Sequence, residues 1–216
     1  MKKTMKLAAV VAIALSTVLV GCKKDDVAAP VVTILGAASE NVVLNTSYVD
    51  AGATSKDERD GDLTSSIVSD AATAVKKDLS GTYTVTYTST DAAGNAGTAT
   101  RSVIVKNAAE AKAGSYAVSD VVGGTTTNYT DAVTASSTVN NKILVGKFAG
   151  YTGGSVSMTI SGSTITIASQ TVACGNPAAN RTFSGTGTLG TSGMVINYTE
   201  TTNGSTANGV DTYVKQ

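Results

Sequence analysis

Residues 155–170 read SVSMTISGSTITIASQ, and this stretch decides the fold class of the second half of the chain. Apolar residues alternate with serine and threonine from Val156 to Ile160, and the alternation returns between Ile165 and Ile167. A period of two places the apolar side chains on one face of a strand. The Ser161-Gly162 pair between the two runs is typical of a tight turn. The stretch therefore predicts an antiparallel β-hairpin with one buried face.

Short alternating runs continue on both sides of this hairpin. They predict eight strands, near residues 114–122, 127–137, 142–148, 154–160, 163–170, 181–189, 193–199 and 210–215. The stretch between the fifth and sixth strands contains Cys174 and Pro177 and is predicted to be a long loop. Short antiparallel strands joined by sequential turns favour an up-and-down barrel or meander over residues 114–216.

The order of the elements in this second half resembles a known type of domain. A tyrosine-bearing first strand, the central hairpin, FSGTGTL (183–189) and INYTE (196–200) follow one another. This order resembles the lipocalin-like C-terminal domains of Bacteroidota lipoproteins, and the resemblance implies fold and location but no settled activity. Small barrels can hold a ligand at the mouth. The candidates for lining such a site or stacking on sugars are Tyr116, Tyr129, Tyr151, Tyr198 and Tyr213. The alternative is that these tyrosines are core or rim residues of the barrel.

The first half of the chain predicts a separate all-β domain over residues 30–106. GTYTVTYTST (81–90) alternates tyrosine and valine with threonine, and GTATRSVIVK (97–106) continues the pattern after a turn rich in Asp, Gly and Asn. Several short strands with regular turns predict a β-sandwich. The alanine-rich, polar stretch that follows predicts a linker at 107–113.

Five short motifs in this first domain occur in a recognisable order. They are PVVTI (30–34), YVDAGA (48–53), DGDLT (60–64), GTYTV (81–85) and DAAGNA (91–96). The arrangement resembles the bacterial Ig-like domain that also occurs in pesticidal crystal proteins. The resemblance implies a sandwich of about seven strands that serves as a spacer or adhesion module beside another domain.

An acidic cluster in the first domain raises the possibility of calcium binding. Asp57, Asp60 and Asp62 lie within one short segment, but their spacing differs from an EF-hand loop and the bidentate glutamate is missing. The alternative is a polar turn in which the carboxylates accept hydrogen bonds from nearby backbone N–H groups. Asp91 and Asn95 carry the same two interpretations. The turn is favoured at both places, and calcium is kept as the weaker alternative.

The N-terminus predicts export and lipid anchoring. Three lysines precede an apolar run at Leu7–Val20, which is the pattern of a cleaved signal peptide over residues 1–21. This run of 14 residues is too short for a spanning helix, which needs roughly 20. Leu19 to Cys22 resembles the lipobox of bacterial lipoproteins. The resemblance implies cleavage before Cys22, a diacylglyceryl group on its sulfur and acylation of the new amine, and more than one acyl chain gives stable anchoring.

The residues after the lipid-bearing cysteine carry a second targeting signal. Lys24, Asp25 and Asp26 resemble the surface-export signal of Bacteroidota-type lipoproteins. The resemblance implies a lipid anchor in the outer membrane with the protein facing the cell surface. The alternative is a solvated tether over residues 22–29.

Composition excludes several function classes. Loss of residues 1–21 removes three of the 16 basic residues and none of the 16 acidic ones, so the mature chain carries about −3 and is not expected to bind nucleic acid. The chain has no histidine, which removes the Ser-His-Asp triad and histidine-ligated zinc. Cys174 has no internal partner once Cys22 is lipidated, and we expect an inert thiol.

These patterns predict a non-enzymatic surface lipoprotein. The Ig-like domain would present a barrel that binds a glycan or a partner protein, with no cofactor besides the lipid on Cys22. One alternative is an accessory or structural subunit of an outer-membrane envelope complex. A more remote alternative is a glycan-active enzyme, which needs a pair of carboxylates. The spacing of the acidic residues in the second domain selects no pair among Asp120, Asp131, Glu200 and Asp211.

Overall fold

The computed structural model describes residues 25–216, which form two consecutive all-β domains. The strands of the first are β1 (Val31–Ile34), β2 (Ser39–Val43), β3 (Ala53–Asp57), β4 (Gly61–Asp62), β5 (Val68–Ser69), β6 (Gly81–Thr90) and β7 (Ala96–Lys106). Those of the second are β8 (Gly114–Val122), β9 (Thr125–Ala135), β10 (Lys142–Val145), β11 (Val156–Ser161), β12 (Thr164–Cys174), β13 (Ala179–Leu189), β14 (Gly193–Thr202) and β15 (Ser205–Lys215). The predicted signal peptide, Cys22 and Lys24 lie outside the described residues.

Helical structure in residues 25–216 is limited to single turns. A short α-helix occupies Ala71–Ala74, and 3-10 turns occupy Thr64–Ser66, Glu110–Lys112 and Phe148–Gly150. None of the helices in this part of the chain has the length and apolar character needed to cross a bilayer.

The first domain is a two-sheet sandwich. One sheet has the order β1-β3-β4, and the other has the order β2-β7-β6-β5, with β2 parallel to β7 and the remaining pairs antiparallel. The alternation predicted for residues 81–106 supplies the inner face, where Val85, Tyr87 and Val103 are fully buried. Ala53 of the opposite sheet completes this core. The predicted Ig-like sandwich is confirmed.

A charged residue lies in the middle of this sandwich. The Arg101 side chain is completely buried, and its guanidinium lies 3.2 Å from the Asp50 carboxylate and donates to the Tyr48 hydroxyl. It also donates to the backbone carbonyl of Leu35, and Tyr87 donates a short hydrogen bond to Asp50. Asp50 is the aspartate of the YVDAGA motif, so one role of that motif is to supply the counter-charge for a buried arginine.

The second domain is a closed eight-stranded barrel. Each strand from β8 to β14 pairs with the next one, and β15 returns to pair with β8. At two positions of this wall the neighbouring strand leaves room only for glycine. A Cβ at Gly209 would lie 2.3 Å from the ring of Tyr198, and one at Gly185 would lie 2.4 Å from a backbone oxygen of β14. The predicted all-β fold with an antiparallel barrel is confirmed.

The prediction of a long loop around Cys174 is wrong. Strand β12 continues to Cys174 and β13 begins at Ala179, so the connection spans only residues 175–178. The pairing register shifts between Ile167 and Gln170, which indicates a β-bulge. A bulge interrupts the alternation of side chains, and the second half of the strand therefore no longer follows the period set by the first.

Strands β14 and β15 are also longer than predicted. They meet at Asn203 and Gly204, which both have positive φ, of 50° and 79°. An Asn-Gly pair with two left-handed residues is the favoured two-residue hairpin turn. The Asn-Gly dipeptide was therefore the sequence signal for a hairpin that the polar composition of residues 200–209 obscured.

The first domain is attached to one end of the barrel. At this end the β9–β10 connection, residues 136–141, makes hydrogen bonds to Asn45 and Asn107. Asn45 donates to the Thr138 carbonyl at 3.1 Å and accepts from the Asn140 N–H at 2.8 Å. Asn107 is buried and donates to the Ser136 carbonyl at 2.8 Å. The opposite end of the barrel, which we call the distal mouth, contains the turns at 123–124, 146–155, 175–178 and 203–204.

Candidate functional site

A segment of the chain folds into the distal mouth. We call residues 146–155, between β10 and β11, the mouth segment. Its Phe148 is buried, with ring centroids 4.9 Å from Tyr198 and 5.3 Å from Phe183. Ala149 follows in the left-handed region, with φ of 51°, and its N–H donates to the Asp211 carboxylate at 3.2 Å. The mouth of the barrel is therefore filled by the protein's own side chains.

Acidic residues occupy inward-facing positions below this segment. Asp120, Asp131 and Asp211 are all buried, and Asp120 and Asp211 are direct partners in the β8–β15 pairing. Tyr198 donates to Asp120 at 2.8 Å, and Tyr129 donates to Asp211 at 3.1 Å. Burial, together with the nearby charge of Asp120, raises the pKa of Asp211 to about 7. Burial also raises the pKa of Asp120, although its hydrogen bonds to Tyr198 and Asp211 oppose the shift.

A second charged group lies at the rim of the same mouth. Arg181 makes a short ion pair with Glu200, and its guanidinium stacks 3.7 Å from the centroid of the Tyr151 ring. The Cys174 thiol is buried close to this pair, and burial raises its pKa. A thiol with a raised pKa is a poor nucleophile, which agrees with the expectation of an inert cysteine.

The five tyrosines singled out from the sequence all belong to the barrel interior or its mouth. Tyr116, Tyr198 and Tyr213 are at most 3% exposed. Tyr129 and Tyr151 are half-buried against the same core. None of the three buried tyrosines presents a ring to solvent in this structure, and ligand binding by these five tyrosines stays a prediction.

The gathering of the carboxylates is the feature that sequence reasoning missed. Three of the four acidic residues stand two positions from a tyrosine on the same strand: Asp131 from Tyr129, Glu200 from Tyr198, and Asp211 from Tyr213. Residues two apart on a strand point to the same face. Once the tyrosines are assigned to the interior, the acidic residues are assigned to it as well.

The candidate calcium ligands of the first domain accept hydrogen bonds from backbone N–H groups. Asp57 accepts from the N–H groups of Arg59 and Asp60 at 2.8 and 2.9 Å. Asp62 accepts from the Thr64 N–H at 2.9 Å, and Asp60 from the Ala92 N–H at 2.7 Å. Within residues 25–216, no three acidic or cysteine side chains are grouped so that they could hold a metal ion. Calcium binding here stays a prediction.

Asp91 and Asn95 also form a turn. Asp91 accepts from the backbone N–H of Asn95 at 2.8 Å and from its side-chain amide at 2.7 Å. These bonds close the tight connection between β6 and β7 in the way that aspartate and asparagine commonly stabilise turns.

The outer wall of the barrel carries a groove, which we call the outer groove. It has a volume of about 640 Å³ and crosses β12, β13, β14, β15 and β8. Its outward-facing lining side chains are Val121, Thr166, Thr186, Asn197, Thr199, Asn208 and Val210. Thr199 donates to the Asn208 carboxamide at 2.9 Å, which fixes the orientation of that amide. The lining is uncharged and combines hydroxyl, amide and methyl groups.

The solved structures that are similar to this chain include two whose sequences are distant from it. A lipoprotein of Bacteroides thetaiotaomicron is 16% identical, with a TM-score of 0.37, and the match covers 87% of this chain and 100% of that one. A chain of Clostridium perfringens ZmpB, described as CBM51-2 in complex with GlcNAc and INT domains, is 14% identical with a TM-score of 0.27. That match covers 86% of this chain but only 44% of the other. No curated protein matches the chain.

The family comparison concerns the first domain. Strands β1 to β7 lie between residues 31 and 106, and the five motifs quoted above fall within this range. Residues 32–105 match the family model described as bacterial surface protein, Ig-like domain, and this match agrees with the Ig-like sandwich that these residues form.

Proposed function

We propose that this chain is a non-enzymatic, lipid-anchored surface protein of the outer membrane, whose barrel binds an uncharged glycan. The observation that carries the proposal is the outer groove. Threonine hydroxyls and asparagine amides both donate and accept hydrogen bonds, as sugar hydroxyls do. The valine methyl groups supply apolar contacts for the C–H faces of a sugar ring.

The position of the N-terminus supports a spacer role for the Ig-like domain. Asp26 lies 3.5 Å from the Arg59 guanidinium, and its carbonyl accepts from the Asn95 amide at 3.1 Å. Asn95 lies at the start of β7, whereas the barrel follows the other end of that strand, at Lys106. A strand of 11 residues is about 36 Å long. The tether and the barrel therefore leave the Ig-like domain at opposite ends.

Replacement of Cys22 by serine is expected to abolish membrane anchoring, because the serine hydroxyl cannot form the thioether with the diacylglyceryl group. Metabolic labelling with radioactive palmitate and membrane fractionation would measure this. We expect at least a tenfold loss of label and release from the membrane fraction, since acyl chains supply the anchoring energy. Cys174→Ser is the matched control and should keep full label. Label that persists in Cys22→Ser would contradict the proposed anchor.

Surface exposure is tested separately from anchoring. Replacement of Lys24, Asp25 and Asp26 together by alanine should keep the palmitate label but protect the protein from protease added to intact cells. Equal protease sensitivity of this variant and the wild type would contradict the export role of these three residues.

Glycan binding is tested by titrating the full chain, purified in detergent, against a panel of uncharged oligosaccharides. Asn197→Ala and Asn208→Ala should each weaken binding about tenfold or more, because each removes a group that both donates and accepts hydrogen bonds. Asn128→Ala is the matched control, since Asn128 is exposed on β9 outside the groove. Isothermal titration calorimetry with calcium and with chelator would also test Asp57, Asp60 and Asp62.

Two results would favour one of the alternatives to a non-enzymatic glycan-binding protein. A flat titration against the whole panel, with one dominant partner trapped by crosslinking on cells, would favour the accessory-subunit alternative. Hydrolysis of a panel glycan that is lost in Asp120→Asn or Glu200→Gln would contradict the non-enzymatic proposal.

A further inference from the structure

The space that Phe148 occupies has the walls of an aromatic box. The rings of Phe183 and Tyr198 lie edge-on to Phe148, with interplanar angles of 88° and 62°. Tyr151 closes the box from the rim, with its ring 6.4 Å from Phe183. Withdrawal of Phe148 would leave a pocket the size of a phenyl ring with aromatic walls.

The floor of this box is lined by carboxyl groups. Asp211 reaches it, since this residue accepts a hydrogen bond from Ala149, the residue after Phe148, and Asp120 contacts Asp211. Asp131 is close enough for its charge to act on Asp211. Carboxylates beside aromatic faces are the environment that binds organic ammonium groups.

One buried polar atom in this interior, Asp131 Oδ2, has no hydrogen-bond partner among the described residues, and its side chain is only 5% exposed. The Tyr213 hydroxyl is buried beside Tyr129. A buried acceptor or donor without a partner is costly, and its presence in a native structure calls for an explanation. A polar ligand or a water molecule that entered this interior would give Asp131 Oδ2 a hydrogen-bond partner.

The ammonium group of Lys147 already lies among these aromatic and acidic side chains. The Lys147 Nζ atom lies 4.9 Å from the centroid of the Tyr129 ring, a distance at which cation–π attraction operates. Its positive charge also acts on Asp131. Lys147 and Phe148 are consecutive, so the mouth segment presents a cation and an aromatic ring side by side.

The backbone of the mouth segment contains several residues in the left-handed region. Ala149, Gly150 and Gly153 all have positive φ, and for alanine this conformation is strained. Hydrogen bonds that tie the segment to the barrel include Ala149 N–H to the Asp211 carboxylate, Gly175 N–H to the Thr152 carbonyl at 2.7 Å and Gly146 N–H to the Ala132 carbonyl at 3.4 Å. A ligand that takes over the contact with Asp211 would release one of them.

We propose that the barrel contains an internal site for a small organic ammonium compound with an apolar ring, and that Phe148 fills this site in the closed state. The apolar ring of the ligand takes the place of Phe148 between Phe183 and Tyr198. The ammonium group donates to the carboxylates of Asp211 and Asp120. Tyr198 borders both this site and the outer groove. The ammonium would bind on the inner side of the barrel wall and a glycan on its outer side, so the two are tested with separate probes and variants.

Calorimetric titration of the full chain at about pH 8 tests the site, with 2-phenylethylammonium as probe and 2-phenylethanol as its uncharged analogue. The ammonium should bind at least about tenfold more tightly than the alcohol, because only the cation pairs with the carboxylates. Phe148→Ala should bind the ammonium about tenfold more tightly than the wild type, because the competing ring is gone. Asp211→Asn should weaken binding by about tenfold or more.

Val195→Ala, on the outer wall, is the matched truncation and should leave the affinity unchanged. Equal affinity for ammonium and alcohol would overturn the proposal, as would a folded Phe148→Ala protein that binds neither. If Phe148→Ala fails to fold, hydrogen exchange of the wild-type protein tests the proposed site instead. The ammonium, but not the alcohol, should speed exchange in residues 146–152, and identical exchange with both probes would refute the site.

Discussion

Replacement of Arg101 by methionine is expected to lower the free energy of unfolding of the Ig-like domain by about 3–5 kcal/mol. Methionine fills much of the same volume but leaves the Asp50 carboxylate without its cation. The backbone carbonyl of Leu35 also loses the donor it has in the wild type. Burial by itself would raise the pKa of Asp50, but hydrogen bonds from Tyr87, Gly52 and Tyr48 and the charge of Arg101 lower it. The ionised form is thus the one that the domain stabilises.

Urea denaturation combined with hydrogen exchange by mass spectrometry would measure this loss and assign it to residues 31–106. Arg101→Lys should lose less, because the charge remains while the planar fork of donors is lost. The double variant with Asp50→Asn should recover part of the loss, since no uncompensated charge remains. A loss of less than about 1 kcal/mol in Arg101→Met would show that the buried pair does not hold the sandwich together.

The second large effect is a dependence of barrel stability on pH. The pKa of Asp211 is about 7 in the folded protein, above the value of about 3.9 expected in an unfolded chain. The folded state therefore binds the Asp211 proton more tightly than the unfolded state does. The stabilisation that this proton gives is complete below about pH 4 and is lost as the pH rises through 7. Between about pH 5 and 8 the free energy of unfolding of the barrel should fall by about 2–3 kcal/mol.

Asp211→Asn is expected to remove most of this slope, because asparagine stays neutral while it occupies nearly the same volume. The lowered pKa of Asp50 has the opposite effect, because it makes the free energy of unfolding fall as the pH is lowered. That effect is confined to pH values below about 4 and to the Ig-like domain. Urea denaturation at four pH values, with hydrogen exchange followed in residues 114–215, would measure the slope. Glu58→Gln, on the surface of the first domain, is the control. An unchanged slope in Asp211→Asn would show that Asp211 does not carry the titration.

Both effects concern charges inside apolar domains, and they bear on function in different ways. Arg101 and Asp50 hold the Ig-like domain in one shape, which suits a spacer. Asp211 instead shares its interior with Asp120 and with the mouth segment, where the protein keeps carboxylates at the cost of stability at neutral pH. Groups that reduce stability in this way often lie at functional sites, which agrees with the proposed ammonium site.

By itself the sequence determined the class of both domains and the location of most strands. Alternation of apolar and polar residues is a local property, because successive side chains of a strand always point to opposite faces. The same pattern placed the central hairpin correctly, and the resemblance of five motifs identified the Ig-like domain. It failed at β12, where a bulge shifts the alternation, and at β14 and β15, where a polar composition hid an Asn-Gly turn.

Only the tertiary structure decided which residues form the candidate sites. Asp120 and Asp211 stand 91 positions apart and become partners because β15 closes the barrel against β8. The outer groove likewise joins side chains from five strands, and the buried pair of Arg101 and Asp50 joins a strand to a loop. Such contacts depend on strand order, register and barrel closure. These are set by the packing of the whole domain, and no repeating pattern in the sequence reports them.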